Sequence, residues 1–154
     1  GGPRMSGPMP DPLPAAPAAA PPAVPAHLQS FLAFDFGAKR TGVAVGTRML
    51  RTATPQATIR AEGADARFAA VAERLREWQP DALVVGVPYH PDGAAHENTA
   101  RALKFARQLR GRFGLPVFEV DERYSTTEAH AGGAKDADAA SACIILEQFL
   151  RQLP

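Results

Sequence analysis

The run Ala82-Leu83-Val84-Val85-Gly86-Val87 constrains the fold more than any other segment of this chain. It has no polar face, and Pro80 ahead of it stops the preceding helical pattern. A strand that is apolar on both sides must be covered on both sides, which is the environment of a parallel sheet between helices. The rest of the chain should therefore supply both partner strands and covering helices.

The flanking patterns do so. Phe31 to Phe36 is an apolar, aromatic-rich run ended by Gly37, and a turn through Ala38-Lys39-Arg40 leads to Thr41-Gly42-Val43-Ala44-Val45. Two such strands so close together return most simply as an antiparallel pair. A weaker third strand is expected over Arg51 to Gln56. Asp65 to Trp78 reads as a helix, with Phe68, Val71, Leu75 and Trp78 on one face. A second helix is expected from Glu97 to Arg112 and a fifth strand over Val117 to Val120. Ser125-Thr126-Thr127-Glu128 fits a capping box that starts a short helix. The last helix runs from Asp138 to Leu150, with Ala142, Ile145, Leu146 and Phe149 as its buried stripe. This order predicts an α/β fold: a mixed five-stranded sheet, a three-strand meander followed by two parallel crossovers, with helices on both faces.

A chain of 154 residues suits one such domain, expected over residues 28–154. Residues 1–27 are dominated by Pro, Ala and Gly and cannot bury enough surface to offset their chain entropy, so they read as a disordered tail. No apolar run approaches the length that spans a bilayer, and no compact apolar leader is present, so the expectation is a cytoplasmic protein with no membrane partner. Cys143 is the single cysteine, which excludes an internal disulfide, and its apolar neighbours mark it as a small buried hydrophobe. The four histidines show no metal-ligand spacing.

The net charge of +1 conceals a segregation. Lys39, Arg40, Arg48, Arg51 and Arg60 lie in a stretch without acids, as do Arg101, Lys104, Arg107, Arg110 and Arg112. The acids lie elsewhere, notably at Asp121, Glu122, Asp136 and Asp138. Such a chain can set a basic surface beside an acidic pocket.

Asp35 is the first residue that needs a chemical reason, because an unpaired carboxylate inside an apolar strand is expensive to bury. It would sit at the carboxyl end of its strand, where open sheets bind ligands. Asp121 and Glu122 follow the fifth strand directly, and Asp138 opens the last helix. Carboxylates meeting at that edge would repel one another unless a hard divalent cation, Mg2+ or Mn2+, lay between them. Two such ions can activate water and stabilise the leaving oxygen of a phosphodiester. Lys39 and Arg40, from the hairpin turn, would hold phosphate there, and Arg101, Lys104 and Arg107 could track a phosphate backbone. Plainer readings stand beside these. Asp35 could cap the turn at Gly37, Asp121 and Glu122 could be a solvated turn, and Asp138 could be an acid favoured by the helix dipole.

Together these segments resemble the YqgF family of Holliday-junction resolvases and pre-rRNA nucleases. The likeness rests on Asp35 to Gly46, on Trp78-Gln79-Pro80-Asp81, and on Val84 to Pro88 with Asp92-Gly93. It continues through Asp121 to Ala129 and Asp138 to Ala142. The resemblance implies an RNase H-like fold and a nuclease that acts on branched DNA or precursor ribosomal RNA. It assigns catalytic and metal-binding roles to Asp35, Glu122 and Asp138, and phosphate handling to Lys39, Arg40 and Arg123. Symmetric cutting of a junction would need two active sites, hence a homodimer for that substrate. One departure is that only nine residues separate Glu128 from Asp138, fewer than is usual in the family. Two other functions fit parts of the pattern. One is a non-catalytic nucleic-acid-binding module of ribosome maturation. The other is an ATP-binding phosphotransferase, whose phosphate hairpin resembles Asp35 to Gly46 but which needs a second domain.

Overall fold

The computed structural model describes residues 24–89, 97–122 and 137–154. Three strands come first: β1 (Ser30–Asp35), β2 (Arg40–Thr47) and β3 (Ala53–Arg60). They are followed by α1 (Ala64–Trp78), β4 (Ala82–Val87), α2 (Glu97–Phe113), β5 (Val117–Asp121) and α3 (Ala137–Arg151). The strands form one five-stranded sheet in the order β3-β2-β1-β4-β5. The β1–β2 and β2–β3 pairs are antiparallel, whereas β4 runs parallel to both β1 and β5. This is the meander with two crossovers that the alternation of patterns predicts.

Strand β4 is buried along its whole length, as its lack of a polar face requires. Its side chains alternate between two separate cores. Leu83, Val85 and Val87 join Leu32, Phe34 and Val43 beneath α1 and α2. Ala82 and Val84 join Phe31, Ala33, Ala44 and the apolar stripe of α3 on the other face. Phe105 of α2 anchors the first core, with its ring 5.8 Å from Phe34, 4.9 Å from Phe36 and 5.7 Å from Phe68. In the second core, Phe149 lies 5.1 Å from Phe31 and 5.5 Å from Phe118. Packing extends upstream to Val24, which lies against this second core.

Two details depart from the periodicity. Strand β3 starts at Ala53 and reaches Arg60, so it is longer and later than expected, because a register shift between Thr41 and Val43 carries the pairing on. Trp78 is not part of the buried stripe; it is 41% exposed, since α1 ends there with Gln79 in the left-handed conformation. Cys143 is half-buried against the second core, and desolvation pushes its thiol up to about 11, in keeping with an inert hydrophobe.

The ends of the sheet are fastened differently. At the amino-terminal ends of β1 and β4, the Asp81 carboxylate accepts hydrogen bonds from the Gln29 and Ser30 amides at 2.8 and 3.1 Å, which hold it below the usual carboxylate range. Asp81 is therefore a clamp between strands. At the opposite end, the Thr99 hydroxyl of α2 donates to the carbonyl of Pro88, just past β4. Among the described residues no helix is long and apolar enough to cross a membrane.

Phe105→Ala removes the ring on which three aromatic contacts converge and leaves a cavity. It should cost about 3–5 kcal/mol of stability, measurable as a lowered urea midpoint at unchanged slope.

Candidate active site

Strand parity decides which carboxylates can meet. Phe31 and Ala33 point toward α3, so Asp35, two residues on, points the same way. Phe118 and Val120 also face α3, and Glu122 continues that parity, held by its amide donating to the Val87 carbonyl at 3.1 Å. Asp138 lies in the first turn of α3 itself. Asp35, Glu122 and Asp138 thus share one face of the sheet, at the end where β1, β4 and β5 finish. Of the pair after β5, Glu122 is the buried member and Asp121 the exposed one. A solvated turn does not describe Glu122.

Two glycines make room at this edge. Asp35 pairs with Gly42 across the antiparallel register, and the next step beyond Phe34–Val85 sets Gly86 on its other side. A β-carbon at Gly42 would collide with the backbone carbonyl of Asp138. One at Gly86 would collide with Ile145 and come within 2.9 Å of Oε2 of Glu122. Side chains at either position would push α3 off the sheet. Glycine inside a strand is a recognised sign of close approach, so this cradle was open to detection in the sequence.

The electrostatics follow from that proximity. Burial raises the Asp35 carboxyl, and the nearby charge of Asp138 raises it further, to about 7. Asp138 is in turn met by Arg40, whose Nε lies 3.3 Å from Oδ2. The turn that carries Arg40 is braced from the other face by Arg67 of α1. That guanidinium is buried, donates to the Ala38 carbonyl at 2.7 Å and lies 4.9 Å over the Phe36 ring. Arg67 carried no signal in the sequence beyond being one charge on a helix.

The sheet brings Asp35 and Asp138 together as an interacting pair, with Glu122 over Gly86 on the same face. Among the described residues no group of three His, Cys, Asp or Glu side chains is close enough to share a metal ion. The expected three-way convergence is thus a pair with a third acid alongside, and the Asp138 carboxylate is engaged by Arg40. The donor chemistry nonetheless fits a hard cation, since the acids on this face are carboxylates and two of them, Asp35 and Asp138, repel one another.

The basic segments separate into two groups. Arg48 donates to the Leu28 and Pro25 carbonyls, and Arg51 to those of Leu150, Leu153 and Pro154, so both fasten backbone. Arg110 pairs with Glu119 at 3.2 Å, and Arg112 stacks over Phe68. Lys39, Arg40, Arg60, Arg101, Lys104 and Arg107 remain exposed. Arg123, Asp92, Gly93, His90, Ser125, Thr126 and the rest of the expected capping box lie outside the described residues.

The family model described as "RuvX: Holliday junction resolvase" matches residues 29–152. The chain belongs to this family. A relative in Polaromonas sp., named "Putative pre-16S rRNA nuclease", is 78% identical over 84% of this chain and 93% of its own. A relative of the same name in Albidiferax ferrireducens is 75% identical over 83% of this chain and 81% of its own. Among solved structures, T. thermophilus RuvC in complex with a Holliday junction substrate superposes with a TM-score of 0.51 at 19% identity, covering 80% of this chain and 95% of that one. The fowlpox virus Holliday junction resolvase gives 0.53 at 13%, covering 80% and 99%. These likenesses establish the RNase H-like fold.

Because folding raises the Asp35 carboxyl from 3.8 to about 7 in the metal-free protein, the folded state holds a proton that the unfolded chain releases in that window. Stability should fall by up to a few kcal/mol as pH rises through it. Asp35→Asn should remove that slope and stabilise the protein at pH 8, read by urea unfolding across pH. Gly42→Ala should separate the pair: we expect a loss of roughly 1–3 kcal/mol and an Asp35 carboxyl that titrates lower by NMR.

Proposed function

We propose that this chain is a divalent-metal-dependent endonuclease that hydrolyses phosphodiester bonds in structured nucleic acid, either precursor 16S rRNA or a four-way DNA junction. The observation that carries the reading is the Asp35–Asp138 pair. A carboxylate that burial, and secondarily a neighbouring carboxylate, pushes toward neutrality is costly to ionise unless a cation lies against it. The family and the names of its members supply the substrate class.

Asp35, Asp138 and Glu122 would hold Mg2+ or Mn2+, which when bound supplies Lewis acidity and a more acidic water. A cation at Asp138 would compete with Arg40 for that carboxylate, leaving the guanidinium available to a phosphate oxygen. Lys39, beside it in the same turn, and Arg123 would hold neighbouring phosphates. The exposed row Arg101, Lys104 and Arg107 on α2 would give sequence-independent affinity that weakens with salt. Burial of Asp35 limits the screening of its own charge by bulk water. We read the enzyme as cytoplasmic, and as a homodimer if its substrate is a junction cut on two strands.

Purified protein should cleave a labelled four-way junction or a precursor of small-subunit rRNA when Mg2+ or Mn2+ is supplied. Asp35→Asn should reduce cutting to background while electrophoretic binding survives. Unchanged cutting by that variant would remove Asp35 from the site.

A further inference from the structure

The hairpin register places Arg40 of β2 directly opposite Arg60 of β3. Residues directly opposite in an antiparallel pair point to the same side, with β-carbons about 5 Å apart, and like charges there are destabilising. Arg40 faces the Asp138 side, so Arg60 does too. Lys39 adds a third cation, because its carbonyl accepts the Ala61 amide at 3.1 Å and locks the turn beside the end of β3. These three side chains, with Ala61 and the single acid Glu62, line one open depression beside the carboxylate pair. Among the described residues neither Lys39 nor Arg60 forms an ion pair.

The fold thus gathers three cations around one depression, where among the described residues only Arg40 is engaged by an acid. Arg48 and Arg51, from the same acid-free stretch, turn to backbone carbonyls instead, so the clustering is selective. The geometry points to a phosphate subsite formed by Lys39, Arg40 and Arg60, which holds a nucleic-acid backbone phosphate on the β3 side of the reacting bond. Its ligand is the phosphodiester backbone shared by DNA and RNA. Arg60 is the informative member: it lies outside the short motifs from which the site was read and, among the described residues, forms no ion pair. The inference rests on the nuclease reading above and adds the direction in which the strand leaves the carboxylates, over the β2–β3 hairpin.

The test uses the full chain carrying Asp35→Asn, so that binding is read without cutting. Affinity for a labelled four-way DNA junction and, separately, for a labelled precursor of small-subunit rRNA is measured over a salt series. In this background Arg60→Ala should flatten the plot of log affinity against log salt by about one phosphate contact, roughly 0.7–0.9 in slope. Arg60→Lys should restore the slope, because a point charge suffices for backbone contact. The melting temperature of Arg60→Ala should stay level or rise, since a like-charge pair is relieved. Arg76→Ala, which removes an equal charge at the far end of α1, should leave the slope unaltered. A slope for Arg60→Ala equal to that of the parent, with both nucleic acids bound, would overturn the subsite and leave the nuclease reading standing. Failure of the parent to bind either nucleic acid would overturn both. A flattened slope with only one of the two would support the subsite and identify which substrate crosses the hairpin.

Discussion

The structure depends on how closely helix α3 approaches the sheet. Its first turn lies against Gly42, and its Ile145 fills the space over Gly86. That contact brings the Asp138 carboxylate to Asp35 against Coulomb repulsion. The repulsion is tolerated because α3 buries a continuous apolar stripe from Ala142 to Leu150 on the sheet, a burial worth several kcal/mol even at a conservative value per unit area. Hydrophobic packing therefore holds together two charges that electrostatics alone would separate. Arg40 offsets part of that repulsion through its ion pair with Asp138.

Much of this architecture was legible in the residues. The uniformly apolar β4 fixed a parallel core with helices on both sides, and the close spacing of the first two strands fixed the hairpin. Asp35 stood out as a candidate because a lone carboxylate in an apolar strand has few structural excuses. The pairing of Asp35 with Asp138 was harder to read. It depends on strand parity and on a helix crossing a glycine, both long-range matters that no local window contains. The same holds for the basic residues. Composition showed two acid-free stretches, but whether a given arginine fastens backbone, as Arg51 does, or faces the site, as Arg40 does, follows only from the register.

The misjudged elements have physical explanations as well. Trp78 satisfies helical spacing yet sits at the last turn of α1, where the chain turns away before the ring can be covered. Strand β3 extends past its expected end because edge pairing with β2 rewards backbone hydrogen bonds regardless of side-chain hydrophobicity. The plainer alternative for Glu122, half of a solvated acidic turn, fails for a similarly local reason. One more backbone hydrogen bond beyond β5, to Val87, turns it inward and leaves Asp121 outside.

Gly86 carries a consequence for how such a protein can change over evolutionary time. Its missing side chain is filled on one side by a core isoleucine and approached on the other by a carboxylate. The size of residue 145 is thereby a gauge for the acidic edge: a bulkier core residue would lift the helix and widen the gap between the acids, and a smaller one would let it settle. Interior substitutions that look neutral for folding would then retune the chemistry at a distance. Drift in the second core and drift in catalysis are tied to one another.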